Sequence, residues 1–171
     1  MANNNNGNGN SSHKHTLSLL VDNKPGVLSR ISGLFSGRGF NIESLCVAET
    51  TEHNVSRVTL VTLGDDNILE QIKKQLNKLI DVIKVLDFTS TPFVQREMAL
   101  IKIRAKPENR AEILRMVDIF RSRVVDVGSK YYSVEVTGDE GKIEAFLELL
   151  RPLGVKEIVR TGAIALAREN K

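Results

Sequence analysis

The residues of this chain best suited to chemistry lie in one short run, Asp22-Asn23-Lys24-Pro25-Gly26-Val27-Leu28, composed like a strand end, a tight turn and a helix start. A helix start attracts anions, because its first amides lack intrahelical acceptors and the macrodipole favours negative charge there. The N–H groups of Gly26 and Val27 are therefore candidates to hold a carboxylate. Pro25 presets its own φ and pushes Lys24 towards extended backbone, while Gly26 removes the side chain that would keep a ligand off the main chain. Asn23 adds an amide that both donates and accepts, as the two charged groups of an amino acid require. The same spacing also fits a plain turn with an N-cap. Asn41, after Gly39-Phe40, has two readings as well: a polar site residue, or an asparagine that tolerates a turn conformation.

Little else in the chain offers chemistry. Cys46 is the single cysteine; it cannot form an intrachain disulfide, and no histidine lies close in sequence to activate it. His13, His15 and His53 do not form a cluster at metal-ligand spacing, and no paired carboxylates or nucleophile with base appear at useful separation. A stand-alone enzyme is disfavoured. The 24 basic and 21 acidic side chains are interleaved along the chain, which describes a solvated surface rather than a nucleic-acid footprint. No apolar run approaches the roughly 20 residues that span a bilayer, so no membrane contact is expected. Residues 1–15 are mostly Asn, Gly and Ser, without an apolar h-region or any Arg. They read as a disordered tail on a cytoplasmic protein.

The elements that would position the Asn23–Val27 run follow from periodicity. Thr16 to Asp22 reads as a strand, and Val27, Ile31, Leu34 and Phe35 as the apolar stripe of a helix that Gly37 and Gly39 stop. Ile42 to Glu49 and Arg57 to Leu63 read as strands, separated by a polar stretch that contains His53. Ile68, Ile72, Leu76, Leu79 and Ile80 form the face of a second helix, and Val82 to Phe88 a closing strand. After Ser90-Thr91-Pro92 the order returns. Met98 to Ile103 reads as a strand, Pro107 to Phe120 as a helix, and Val124–Val127 and Tyr131–Val136 as strands. A helix through Ile143, Phe146, Leu147 and Leu150 ends at Pro152 and Gly154, before a strand from Val155 to Leu166.

The fold class is thus α+β, two tandem ferredoxin-like βαββαβ sandwiches over residues 16–90 and 93–168, each a sheet with both helices on one face. At about 75 residues apiece such units bury only about 60% of their unfolded surface, so association would help them. The open sheet face and the edge strands are available to a partner.

The run DNKPGVLSRISGLFSGRGFNIESL resembles the opening of an ACT domain, a small-molecule-sensing ferredoxin-like module, in the version found in acetolactate synthase small subunits. SRVTLVT, LEQIKKQLNKLIDVIKV, REMALIKI, VVDVG, GKIEAFLELL and VRTGAIAL resemble successive segments of the same family, from Thr16 to Arg168. The resemblance implies a homodimeric regulatory subunit that activates a thiamine diphosphate-dependent catalytic large subunit. It also implies feedback inhibition by a branched-chain amino acid, usually valine. Asn23, Gly26 and Val27 match the family's effector loop, and Asn41 and Ile42 match the positions that the other chain contributes. It further implies no cofactor on this chain, with thiamine diphosphate, Mg and FAD on the catalytic subunit. Gly64-Asp65-Asp66-Asn67 lacks the second glycine and long spacer of the metal-binding signature of thiamine diphosphate enzymes, and reads as a turn with a helix N-cap.

Two other classes compete. An RNA-recognition domain shares the βαββαβ order, but LSLLV and RVTLVTL carry no aromatic rings for base stacking. An ACT-type sensor of a different enzyme would share the glycine turn, without the likeness of the second unit to this family.

Overall fold

Alternating aliphatic residues make the strands and i, i+4 aliphatic residues make the helices. The computed structural model describes residues 12–169, which divide into two units between Pro92 and Phe93. The first runs β1 (His13–Asp22), α1 (Val27–Ser36), β2 (Ile42–Glu49), β3 (Val55–Gly64), α2 (Asp66–Leu76) and β4 (Val82–Asp87). Its strands are antiparallel in the order β2-β3-β1-β4. Leu17 and Leu19 of β1 stand opposite Leu60 and Val58 of β3, and all four are buried. Val27, Ile31 and Phe35 of α1 and Leu69, Ile72 and Leu76 of α2 close over them. Burying one such side chain stabilises by about 1.5–3 kcal/mol, so this layer outweighs any single turn or cap.

The second unit repeats the order with β5 (Phe93–Arg104), α3 (Arg110–Ile119), β6 (Arg123–Val127), β7 (Tyr131–Gly138), α4 (Glu140–Gly154) and β8 (Val155–Arg160). Its order is β6-β7-β5-β8, with an extra strand β9 (Ile164–Ala167) paired to the start of β5. The core is Ala99, Ile101, Ile103, Val134 and Val136 from the sheet, under Ile113 and Val117 of α3 and Ile143, Phe146 and Leu150 of α4.

Several boundaries differ from the sequence reading. Of the tail expected over residues 1–15, residues 1–11 lie outside the described residues, but His13, Lys14 and His15 belong to β1. His15 is buried because both ring nitrogens find partners: Nε2 donates to the Gly64 carbonyl at 3.1 Å and Nδ1 meets the Thr89 hydroxyl at 3.2 Å. The second helix stops at Leu76, where Asn77 turns its amide onto the Lys73 carbonyl. Ile80, expected on the apolar face, is 96% exposed in the turn that follows.

The first strand of the second unit starts at Phe93, not Met98, because its first residues pair with β9. The strand expected over Val155 to Leu166 is broken, since Gly162 takes φ +79° and lets the chain cross to another part of β5. Pro152 lies inside the last turn of α4, and the helix ends at Gly154 with φ +101°. Pro107 precedes α3, which opens at Arg110.

Candidate effector site

The loop from β1 to α1 is held by its backbone. Asn23 N–H donates to the Asn54 carbonyl at 2.7 Å and Lys24 N–H to the Asp22 carbonyl at 3.0 Å. Gly26, the N-cap of α1, is exposed and left-handed at φ +85°, a conformation that L side chains rarely adopt. The Val27 N–H reaches back to the Lys24 carbonyl at 3.4 Å, so the expectation of two equally available amides at Gly26 and Val27 is modified: the Val27 donor has a long internal partner.

What marks this helix start is its missing compensation. Asp65 caps α2 through the Ile68 N–H, with Asp66 in the first turn, and Asp139 caps α4 through the Lys142 N–H, with Glu140 in its first turn. Helix α3 has Glu112 in its first turn. Helix α1 has neither a side-chain cap nor an acid there. Its positive end is uncompensated and next to an exposed glycine, which is the arrangement a carboxylate fits.

Beside it lies a small pocket of about 70 Å³, roughly twice a water's share of liquid volume. Val21, Val27, Leu28, Ile31, Val47 and Val58 supply aliphatic lining, with Asn23 and Lys24 at its polar side. Lys24 Nζ lies 2.6 Å from the Asp22 carboxylate, and that hydrogen bond raises the ammonium pKa above its ordinary value. Arg30 Nε and Nη2 meet Asp81 Oδ2 at 2.8 and 2.7 Å, and a Cβ added at Gly26 would come 3.1 Å from Arg30 Nη1.

Of the residues singled out from sequence, Asn23, Gly26 and Val27 come together. Asn23 Nδ2 also donates to Glu49 at the end of β2. Asn41 and Ile42 are elsewhere. Ile42 is half-buried opposite Thr62, while Asn23 follows the Asp22–Val55 pair, so seven residues of β3, about 23 Å, separate them within one chain. Asn41 is exposed, its amide on Glu43 and its carbonyl taking the Thr62 hydroxyl at 2.7 Å. Sequence reading missed Leu28, Ile31, Val47 and Val58 as pocket lining. Ile31 and Val58 carry only the core periodicity, and nothing local marks Val47 on the edge strand.

Cys46 is half-buried on β2 opposite Thr59. Asp65 is a helix N-cap, the role its motif suggested. Among the described residues no helix is long and apolar enough to cross a membrane.

Known proteins share this architecture. A family model described as the small subunit of acetolactate synthase matches residues 96–169, and one described as the acetohydroxyacid synthase small-subunit-like ACT domain matches residues 17–84. A probable acetolactate synthase small subunit of Archaeoglobus fulgidus is 53% identical over 158 residues, covering 92% of this chain and 99% of the relative. This chain belongs to the acetolactate synthase small-subunit family.

The small subunit of that enzyme from Aquifex aeolicus is 52% identical over 91% of this chain and 82% of its own length. The crystal structure of the small subunit from Thermotoga maritima superposes with a TM-score of 0.85 at 43% identity, covering 93% of this chain and 99% of that one. The α+β class with tandem ACT-like units is therefore that of the acetolactate synthase small subunits. As a member of this family the chain is a regulatory subunit, not a catalytic one, in branched-chain amino-acid biosynthesis.

Proposed function

We propose that the first unit senses a branched-chain amino acid, valine foremost, and that the chain joins a catalytic large subunit as a homodimer, raises its activity and lowers it again when the effector binds. The observation that carries this reading is the uncapped start of α1 beside an aliphatic pocket. The helix start answers the effector carboxylate, Asn23 its ammonium group, and the valine, leucine and isoleucine lining its branched side chain.

A single chain builds half of this site. Strand β2 is an edge strand, free on one side to pair with a second copy. Antiparallel pairing of two β2 edges sets the start of one strand beside the end of the other. Asn41 and Ile42 of the second copy then come next to Glu49 and Asn23 of the first, which reconciles residues lying far apart in one chain. Thiamine diphosphate, Mg and FAD belong on this reading to the catalytic subunit.

The test mixes the purified chain with its cognate catalytic subunit and follows acetolactate formation while valine, leucine and isoleucine are titrated in turn. The chain alone is expected to convert no pyruvate, the mixture to exceed the catalytic subunit alone, and valine to reverse the gain. Absence of stimulation, or stimulation indifferent to all three amino acids, overturns the proposal.

A further inference from the structure

The helical face of the first unit carries a second surface, which shares no lining residue with the effector pocket although its Arg30 reaches the start of α1. Between α1 and α2 runs an open groove of about 630 Å³, lined by Arg30, Arg38 and Lys78, with Leu34 and Leu79 as its apolar part and Gly33 leaving room along α1. No acidic residue lines it. The excess of cations begins in the sequence, since residues 23–42 contain Lys24, Arg30 and Arg38 and no Asp or Glu. Arg30 is paired with Asp81, but Arg38 and Lys78 have no ion-pair partner among the described residues. Helices α3 and α4 of the second unit interleave both signs instead.

We propose that this groove docks an acidic, partly apolar segment of the catalytic subunit, an inference that rests on the function proposed above. Three cations lining one groove with two leucines, two of those cations without an ion-pair partner among the described residues, complement carboxylates spaced along an apolar strip. A second copy of the same groove is a poor occupant, because it would set cations against cations. A small free anion fits less well too. The amides of α1 beyond its first turn are bonded within the helix, so no set of main-chain donors converges there, and the groove is open along its length. The gap at Gly33, where an added Cβ would meet nothing within 4 Å, gives a partner side chain access to the α1 backbone.

The full-length chain with Arg38→Glu and Lys78→Glu, and separately with Gly33→Leu, would be titrated calorimetrically into the catalytic subunit at low and moderate salt. Neither variant touches the effector pocket, and the Gly33 position is open, so unchanged valine binding and melting serve as the folding control. The expected result is a Kd raised at least tenfold in both, with a shallower salt dependence in the charge-reversed variant. Wild-type affinity and salt dependence in both variants would overturn the inference while leaving the proposed function standing. A wild-type chain that does not bind the catalytic subunit removes both. Inorganic phosphate binding that Arg38→Glu and Lys78→Glu abolish, with subunit affinity unchanged, would assign the groove to a small anion and also overturn it.

Discussion

In the first unit the chain passes from β1 to α1 through an exposed left-handed Gly26, and no side chain covers the helix start. In the second it passes from β5 to α3 through Ala105-Lys106-Pro107-Glu108-Asn109, and side chains there bond neighbouring carbonyls. Asn109 Nδ2 donates to the carbonyls of Arg104 and Leu153 at 3.1 and 3.2 Å. The Arg110 guanidinium ties down the Ala105 and Ser129 carbonyls at 3.2 and 3.0 Å. Glu112 then stands in the first turn of α3. One fold has been used twice, and since neither α1 nor α3 has a side-chain cap, the two helix starts differ in the acid that stands in the first turn of α3 alone. On the function proposed above, binding capacity belongs to the copy whose turn was left open.

The largest effect should come from removing each unit's core. Phe35 and Phe146 are almost completely buried in separate clusters, and truncating either to Ala should cost about 3–5 kcal/mol. Hydrogen exchange should show lost protection in the unit that carries the change. Phe35→Ala should abolish valine binding by the isolated chain and Phe146→Ala should spare it. Equal loss of valine binding in both would break the assignment of sensing to the first unit.

Next in size is exchanging the character of the two turns. Gly26→Asp sets a carboxylate over the helix start, where it competes with the effector carboxylate and can pair with Arg30. The half-inhibitory valine concentration of the holoenzyme should rise at least tenfold while activation persists. The positive φ adds a backbone cost of about 1–2 kcal/mol, which Gly26→Ala, carrying the strain without the charge, measures separately. Asn109→Gly should do the reverse in form only. It should lower stability by about 1–2 kcal/mol through lost hydrogen bonds, without creating a second valine site detectable by calorimetry. Unshifted inhibition in folded Gly26→Asp would move the effector away from this helix start.

The smallest effects come from the helix-to-strand connections, where both units place a left-handed residue. The first uses Gly39 at φ +70° and the second Arg121 at φ +50°. Arg121→Gly should stabilise by at most about 1 kcal/mol, whereas Gly39→Ala should destabilise by about 1–2 kcal/mol although nothing lies within 4 Å of the added Cβ. Thermal melting with opposite signs for the pair would show that backbone strain alone separates these positions. The same sign in both would show that side-chain contacts at Arg121 matter more than its φ.

Element order and most of the two cores were legible in the sequence, because burial on one face imposes a period that neighbouring residues record. Leu17, Leu19, Val27, Ile31 and Phe35 are examples, and so is the cap Asp65, whose partner lies three residues away. The turn at Gly26 was legible for the same reason. Where a strand ends depends instead on which edge it meets. The extension of β1 to His13, the start of β5 at Phe93 and the break at Gly162 all follow from pairing with distant segments.

The site divides along the same line. Asn23, Gly26 and Val27 were determined by local sequence, since one turn holds them together. Val47 and Val58 joined the pocket, and Asn41 and Ile42 were set at the far end of the sheet, only through strand register. Register is a property of paired chains, and no residue carries it alone.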